Sequence, residues 1–176
     1  MALSPRPAAG DGTVAYTAMG RGRTFSMKVE RETEITGPMA AKLFIASSTR
    51  DADRFLVVRL FDPQSRSLPD RPYHPHDREE PLTPGEVYEC DVEIVTSCIV
   101  VPAAWTLALG VRGRDHEYEG ELSEFARSFH YGTRGTGGMT HADPDDRPPA
   151  VFDNRVTLYS GGDRQFWLLL PVNSPR

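Results

Sequence analysis

The sequence predicts an all-β fold in which two sheets pack into a sandwich, and three observations carry that prediction. The chain has 176 residues, with 15 glycines and 15 prolines that fall between short apolar runs, as many strands joined by turns require. Wherever the apolar pattern is clear, its period is close to two, and no convincing long segment shows the helical period of 3.6. A chain of this length is enough for one full-sized domain.

The first strand signals are short. Residues 1–23 begin with a stretch rich in Pro, Ala and Gly and are predicted to be a disordered or extended lead-in. Residues 24–28 are the first candidate strand. A second candidate, residues 33–35, runs into Thr36-Gly37-Pro38, a sequence typical of a turn.

Two strands with strong apolar patterns follow. In residues 39–48 the apolar side chains share one parity and Lys42 has the other, which predicts a strand with one buried face. Residues 54–61 are apolar on both parities, which predicts a strand covered on both sides. That strand should end at Asp62-Pro63, because proline has no N–H with which to continue a ladder.

The middle of the chain holds a long loop and three further candidate strands. Residues 64–84 are rich in proline and charge and are predicted to form a loop of a length that is usually functional or mobile. Residues 88–94 show the clearest alternation in the chain, with an acidic solvent face. A short β-branched run at residues 98–101 and an alternating run at residues 105–111 are predicted as two more strands.

The last third of the chain loses and then regains a strand pattern. Residues 113–149 are rich in loop-forming residues. Residues 155–160 and 166–170 are short apolar runs, and the Gly161-Gly162 pair lies between them. A Gly-Gly connection of this kind indicates a hairpin.

Charge and cysteine content restrict the classes of partner and the compartment. The formal net charge is −5 and both signs are mixed along the chain, so no basic stripe for nucleic acid is present. No segment reaches the roughly 20 apolar residues that a transmembrane helix needs, and the N-terminus lacks the apolar stretch of a secretory signal. Cys90 and Cys98 are too few for a disulfide scaffold or a zinc site. Free thiols in the cytoplasm are therefore predicted.

A series of segments occurs in the order found in one protein family. They are TEITGP (33–38), AKLFIASS (41–48), FLVVRL (55–60), RPYHPH (71–76), PLTPGEV (81–87), IVVPA (99–103), GMTHADP (138–144) and LLLP (168–171). Across residues 24–172 the chain resembles the C-terminal domain of the CocE/NonD hydrolases, the family of cocaine esterase and X-prolyl dipeptidyl-peptidase.

The resemblance implies a jelly-roll β-sandwich, similar to galactose-binding domains, over residues 24–172. In the parent enzymes such a domain packs on an α/β-hydrolase domain, and the parent activities are those of esterases, acylases and dipeptidases. Two departures are visible. We expect the family's hydrolase portion, which would precede residue 1, to be missing, and the loop between residues 63 and 72 is shorter than is usual in the family. Loss of a strand there is expected to expose a sheet edge.

The residues do not provide a hydrolase active site. A nucleophile of the α/β-hydrolase type lies in a G-x-S-x-G turn, and no serine in this chain has glycine at both flanking second positions. His116, His130 and His141 are possible bases, but a base needs a positioned nucleophile and an orienting partner. No catalytic residue is therefore predicted, although the family that the chain resembles consists of serine hydrolases.

The run His74-Pro75-His76-Asp77 has two interpretations. Alternate histidines on an extended segment are compatible with a metal site, but a third and a fourth ligand are not evident. The same pattern in a family that needs no metal there favours a contact within the loop or between domains. Tyr73, His74, His76 and His141 are therefore candidate binding or domain-interface residues, and neither a metal nor a cofactor is predicted.

Three other features have structural interpretations that outweigh the functional ones. Asp51 and Asp53 resemble a fragment of a calcium loop but are expected to cap a turn before a strand. The glycine-rich residues 135–138 lack the lysine of a phosphate loop and are expected to form a flexible turn. Trp105 and Trp167 are capable of stacking on a sugar, but each lies in an alternating apolar run, so burial in the core is predicted for both.

Two functions of different classes remain. The first is a non-catalytic accessory domain whose partner is an α/β-hydrolase catalytic domain, in cis or in trans, or a second copy of the chain. The second is a stand-alone module that binds a carbohydrate or another small ligand. For the first, the contact is expected near residues 72–84 and 132–146, because a face buried in the parent enzymes would be exposed here and exposed apolar patches favour association.

Overall fold

The computed structural model describes residues 3, 10–64, 81–114, 144, 145 and 147–173. Among these residues there are nine strands and one helical turn, and no helix is long and apolar enough to cross a membrane. In chain order the elements are β1 (Gly12–Thr17), β2 (Arg23–Lys28), β3 (Thr33–Ser47), β4 (Phe55–Phe61), β5 (Tyr88–Val101), β6 (Thr106–Arg112), α1 (Pro149–Phe152), β7 (Arg155–Ser160), β8 (Trp167–Leu169) and β9 (Val172–Asn173).

The strands form two antiparallel sheets. The larger sheet has the order β1, β7, β3, β5, and β8 and β9 also pair with β3. The smaller sheet has the order β2, β6, β4. Side chains from both sheets meet in one apolar core, so the predicted all-β sandwich is confirmed.

The core follows from the alternation in the sequence. In the larger sheet Leu43 and Ile45 of β3 are fully buried, and in the smaller sheet Leu107 and Leu109 of β6 are buried equally well. Successive residues of a strand point to opposite faces, so Lys42 lies on the other side of β3. The predicted face of residues 39–48 is therefore confirmed.

Strand β4 is covered on both faces, as its sequence predicts. Leu56 and Leu60 belong to the core between the sheets, while Phe55 and Val57, of the opposite parity, are only 3% and 2% exposed. Within the described residues β6 is the hydrogen-bonded neighbour of β4, so β4 is an edge strand there. Whether a strand of the family has been lost after residue 63 stays a prediction.

The predicted turn at Thr36-Gly37-Pro38 is wrong, because β3 runs through it. The register with β5 shifts between Gly37 and Met39, which is a β-bulge. The φ of Gly37 is +138°, a conformation that glycine adopts at little cost. Proline, which has no N–H to donate, falls in the interruption of the ladder. Glycine and proline, which often form turns, therefore form a bulge within a continuous strand here.

Residues 88–94 and 98–101 belong to one strand, β5, so the prediction of two separate strands is wrong. Ser97 pairs with Gly37 and Ile94 with Met39. Val95 and Thr96 therefore lie opposite Pro38 alone, which is the two-against-one arrangement of a bulge. The break in alternation that separates the two runs in the sequence is this bulge.

The predicted hairpin around Gly161-Gly162 is also wrong. Strands β7, β8 and β9 lie one after another along the same edge of β3, opposite its residues 44–47, 40–42 and 34–35. Gly161 and Arg164 form an isolated bridge between β7 and β8. The Gly-Gly turn therefore interrupts the pairing with β3 for a few residues, and the chain then pairs with β3 again through β8.

The sandwich begins before residue 24. Strand β1 lies within the segment predicted to be a disordered or extended lead-in, and it pairs along its whole length with β7. Tyr16 of β1 is 6% exposed and belongs to the core. Strand pairing with β7 and burial of Tyr16 therefore fix β1 in the sandwich, which the composition of residues 1–23 does not indicate.

Candidate functional site

The four candidate site residues, Tyr73, His74, His76 and His141, lie outside the described residues. The same holds for His116, His130 and the glycine-rich residues 135–138. Their roles therefore stay predictions.

The two aspartates before β4 have different structural roles. Asp51 caps a turn, since its Oδ1 accepts a hydrogen bond of 2.8 Å from the N–H of Ala52. Asp53 forms an ion pair with Arg147, with 2.5 Å between Oδ2 and Nε. Within the described residues no group of three or more His, Cys, Asp or Glu side chains is placed to hold a metal ion.

Arg147 is the centre of a buried polar cluster at the end of the sandwich. Its side chain is 9% exposed, and it donates a hydrogen bond of 2.8 Å to the carbonyl of Gly113. The guanidinium also lies over the rings of Phe55 and Phe152, at 5.4 and 5.2 Å, a cation–π geometry. Arg147 therefore ties the segment just before α1 to β4 and to the end of β6.

Asn154 is the centre of a second polar network, formed by neighbouring residues of the chain. It is 3% exposed, and its Nδ2 contacts three oxygens, Thr49 Oγ1, the Asp51 carbonyl and the Val151 carbonyl, at 2.7 to 3.0 Å. We call the two networks together, with Arg147, Asp53, Thr49 and Asn154, the Arg147 cluster. Every contact described in it is internal, so its role is to hold the ends of distant segments together.

The outward side of the larger sheet presents a different surface. Trp167 of β8 pairs with Lys42 of β3, and Lys42 pairs on its other side with Asp91 of β5. Because cross-strand partners share a face, these three side chains lie in one row on the side away from the core. Trp167 is 41% exposed, so the predicted burial of Trp167 in the core is wrong. Trp105, by contrast, packs against the core.

Neighbouring rows repeat this arrangement. Leu169, Ala40 and Glu93 form one of them, and Leu169 is 54% exposed. We call Trp167 and Leu169 the apolar column, and Glu89, Asp91 and Glu93 of β5 the acidic column. Strand β3 separates the columns, so they are about 10 Å apart at the usual spacing between strands. The outer face is the surface that both columns and β3 make.

Lys42 is the cation between the columns. Its Nζ contacts the carboxylate of Glu89 and lies 3.3 Å from Oδ1 of Asp91. The hydrogen bond to Glu89, followed by that to Asp91, raises the pKa of Lys42 above its ordinary value. Lys42 thus stays protonated and neutralises part of the acidic column, while Glu93 has no lysine beside it in its row.

The two cysteines lie on opposite sides of β5. Cys90 pairs with the buried Leu43, and Cys98 pairs with Thr36 on the outer face. Burial raises the pKa of the Cys90 thiol, and the guanidinium of Arg54, 3.0 Å away, partly opposes this. Because their side chains point apart, the two thiols do not form a disulfide with each other, and both are free.

The chain matches a known protein family. The profile of the family described as the X-Pro dipeptidyl-peptidase C-terminal non-catalytic domain matches residues 17–121. This range contains β2 to β6, including the smaller sheet and the acidic column. No curated protein sequence matches the chain.

Several solved structures are similar. A CocE/NonD family hydrolase from Staphylococcus aureus superposes with a TM-score of 0.74 at 16% identity, covering 98% of this chain and 34% of the hydrolase. An α-amino acid ester hydrolase gives 0.63 at 14% identity, with 98% and 34% coverage. An aminopeptidase from a marine sediment archaeon, Thaumarchaeota archaeon, gives 0.56 at 14% identity, with 88% and 26% coverage. These similarities show a shared fold, and the chain spans about a third or less of each structure.

Proposed function

Because this chain belongs to the family of X-Pro dipeptidyl-peptidase C-terminal non-catalytic domains, we propose that it is an accessory domain that packs on an α/β-hydrolase catalytic domain of the CocE/NonD type. That catalytic domain is either part of the same polypeptide or a separate chain. The observation that carries the proposal is the family match across the smaller sheet and β5. The hydrolase would supply the nucleophile, since the G-x-S-x-G turn does not occur in this sequence.

The outer face supports a role in packing. Trp167 and Leu169 expose large apolar side chains, and covering the exposed half of Leu169 contributes about 1 kcal/mol to association. Neither side chain is needed to complete the core between the sheets. An accessory domain would use such a surface to hold its catalytic partner, with the polar side chains around it fixing the orientation.

The candidate residues of the long loops are part of this proposal. We expect Tyr73, His74, His76 and His141 to contribute to the contact, and their double variant Tyr73→Ala with His74→Ala should weaken binding more than it lowers the melting temperature. Residues of a polar loop contribute little to a core. We also place the protein in the cytoplasm, where its two unpaired thiols would stay reduced.

The test begins with the coding sequence on both sides of the segment that encodes this chain. We expect an α/β-hydrolase segment with a G-x-S-x-G turn there, in frame or as an adjacent gene. That segment, co-expressed with the chain, should copurify with it, and the purified chain alone should not hydrolyse p-nitrophenyl acetate. Absence of such a hydrolase from both sides, or failure of the two to bind, would overturn the proposal.

One observation supports a second candidate, a module that binds carbohydrate. Trp167 is an exposed aromatic side chain in the same row as Lys42 and Asp91, and aromatic faces beside polar groups suit sugar rings. Titration with galactose and with soluble oligosaccharides should then change tryptophan fluorescence in the native chain but not in Trp167→Phe. An unchanged spectrum in the native chain would remove this candidate.

A further inference from the structure

We infer that the outer face disfavours a second copy of this chain and is suited to a different protein surface, one that carries an apolar strip beside a row of Lys or Arg. In naming that surface as part of the hydrolase catalytic domain, the inference rests on the proposed function. The rejection of a second copy depends only on the columns of the outer face.

The lateral order of the columns opposes self-association. The apolar column lies on one side of β3 and the acidic column on the other. Two copies that meet through the same surface are related by a twofold axis. When the two surfaces face each other, this axis lies midway between them and runs parallel to both. When the two outer faces cover each other fully, an axis parallel to the strands lies over β3 and places each acidic column against an apolar column. An axis across the strands places acidic column against acidic column.

Both arrangements carry a penalty. Carboxylates pressed against Trp167 and Leu169 lose water without gaining a partner, which is costly. Carboxylates opposed to carboxylates repel each other, and like charges juxtaposed in an interface reduce affinity strongly. Lys42 already contacts two of the three acids of its own copy, so it cannot offset the charge of a second column. The net charge of −5 acts in the same direction.

A different partner can satisfy both columns together. Its apolar strip would cover Trp167 and Leu169, and its basic row would face Glu89, Asp91 and Glu93 at a lateral offset of about 10 Å. The side chains of Glu89 and Asp91 are 53% and 69% exposed, so they remain accessible to new donors. Arg164, whose guanidinium lies over the ring of Tyr159 at 5.4 Å, is on the side of the apolar column and does not neutralise the acidic one.

The first experiment measures self-association by sedimentation equilibrium. The native chain should be monomeric at high concentration. The triple variant Glu89→Gln, Asp91→Asn, Glu93→Gln should associate at least about tenfold more tightly, because the like-charge repulsion is gone, and adding Leu169→Asp should abolish that association. The control Glu30→Gln, Glu32→Gln, Asp153→Asn makes the same change in net charge at exposed positions away from the outer face and should stay monomeric.

Two results would overturn the rejection of a second copy. One is a native chain that dimerises and becomes monomeric with Leu169→Asp. The other is a triple variant that associates no better than the control, since the acidic column would then not be what prevents association.

The second experiment uses the co-expressed hydrolase segment. Reversing two charges, Glu89→Lys with Glu93→Lys, should slow association at low salt by about tenfold or more and flatten its dependence on salt, whereas Glu30→Lys with Glu32→Lys should change both much less. Binding that is unaffected or strengthened by the reversal would overturn the inferred basic row and leave the proposed function intact. No binding by the native chain would overturn the proposed function, and sedimentation would still decide whether the face rejects its own copy.

Discussion

The Arg147 cluster and the outer face both combine charged and aromatic groups, but they use them in opposite ways. In the Arg147 cluster the guanidinium is 9% exposed and is enclosed by Asp53, Gly113 and two phenylalanine rings. On the outer face Trp167 is 41% exposed and the carboxylate of Asp91 69% exposed. The first set of contacts is completed within the domain. The second leaves side chains that another surface can still contact.

The difference separates residues that stabilise the fold from residues that are available for binding. A buried charge must be paired and hydrogen-bonded, so removing one partner costs the desolvation of the other. An exposed charge keeps much of its water, so removing its partner costs little. Substitutions in the Arg147 cluster should therefore change stability, and substitutions on the outer face should change binding.

The largest effect is expected for Arg147→Met. The variant removes the ion pair with Asp53, the hydrogen bond to Gly113 and both ring contacts, while it keeps most of the buried side-chain volume. We expect the free energy of unfolding to fall by about 3 kcal/mol, because Asp53 is left without its cation in a partly buried position. Urea denaturation followed by circular dichroism measures the loss.

Arg31→Met is the matched control, because Arg31 is exposed in the turn between β2 and β3 and its loss should change stability by less than about 0.5 kcal/mol. Arg147→Lys should be intermediate, since lysine keeps the charge but not the planar fork of donors. Equal, small losses for the two methionine variants would show that the Arg147 cluster is not a stabilising element.

A smaller effect is expected for Asn154→Ala. Its Nδ2 contacts oxygens of Thr49, Asp51 and Val151, and the alanine removes this donor from three part-buried acceptors. The free energy of unfolding should fall by about 2 kcal/mol. Asn173→Ala is the control. Asn173 lies on the exposed strand β9, and its Nδ2 donates to the side chain of Glu34. A loss in Asn173→Ala as large as that in Asn154→Ala would contradict the comparison.

The sequence predicts the faces of the strands better than their connections. Alternation at residues 39–48 and 88–94 places the core correctly, because burial of one face of a sheet is a local property of the pattern. The residues of Thr36-Gly37-Pro38 and Gly161-Gly162 predict a turn and a hairpin, and both predictions are wrong because Gly and Pro mark turns and bulges alike. The choice between these depends on the partner strand, β5 in one case and β3 in the other.

The site residues depend even more on distant partners. Arg147 is one of several arginines in polar surroundings, and nothing local indicates that it pairs with Asp53 or stacks on Phe55. Trp167 lies in an apolar run that resembles a core strand, but β8 is short and lies along the edge of β3. Its partner across the ladder is Lys42, a residue of the outward face, so register and not composition makes Trp167 exposed.

The smallest effect on stability is expected for Lys42→Met. This variant tests whether a charged residue of the outer face contributes to binding and not to folding. Exposed ion pairs contribute close to nothing to folding, so unfolding at pH 7 should hardly change, as in the control Lys28→Met. Because contacts with Glu89 and Asp91 raise the pKa of Lys42 in the folded chain, any stabilisation is complete below the pKa of the unfolded chain and disappears as the pH rises through the higher folded value. The small difference between native and variant chains should therefore vanish in strongly alkaline buffer.

A structural defect in Lys42→Met would weaken binding to the hydrolase segment, whereas we expect binding to become faster. Loss of the cation makes the acidic column more negative, so the hydrolase segment should bind Lys42→Met faster at low salt, while Lys28→Met should bind as the native chain does. A Lys42→Met variant that unfolds far more readily than Lys28→Met would show that the outer face stabilises the fold.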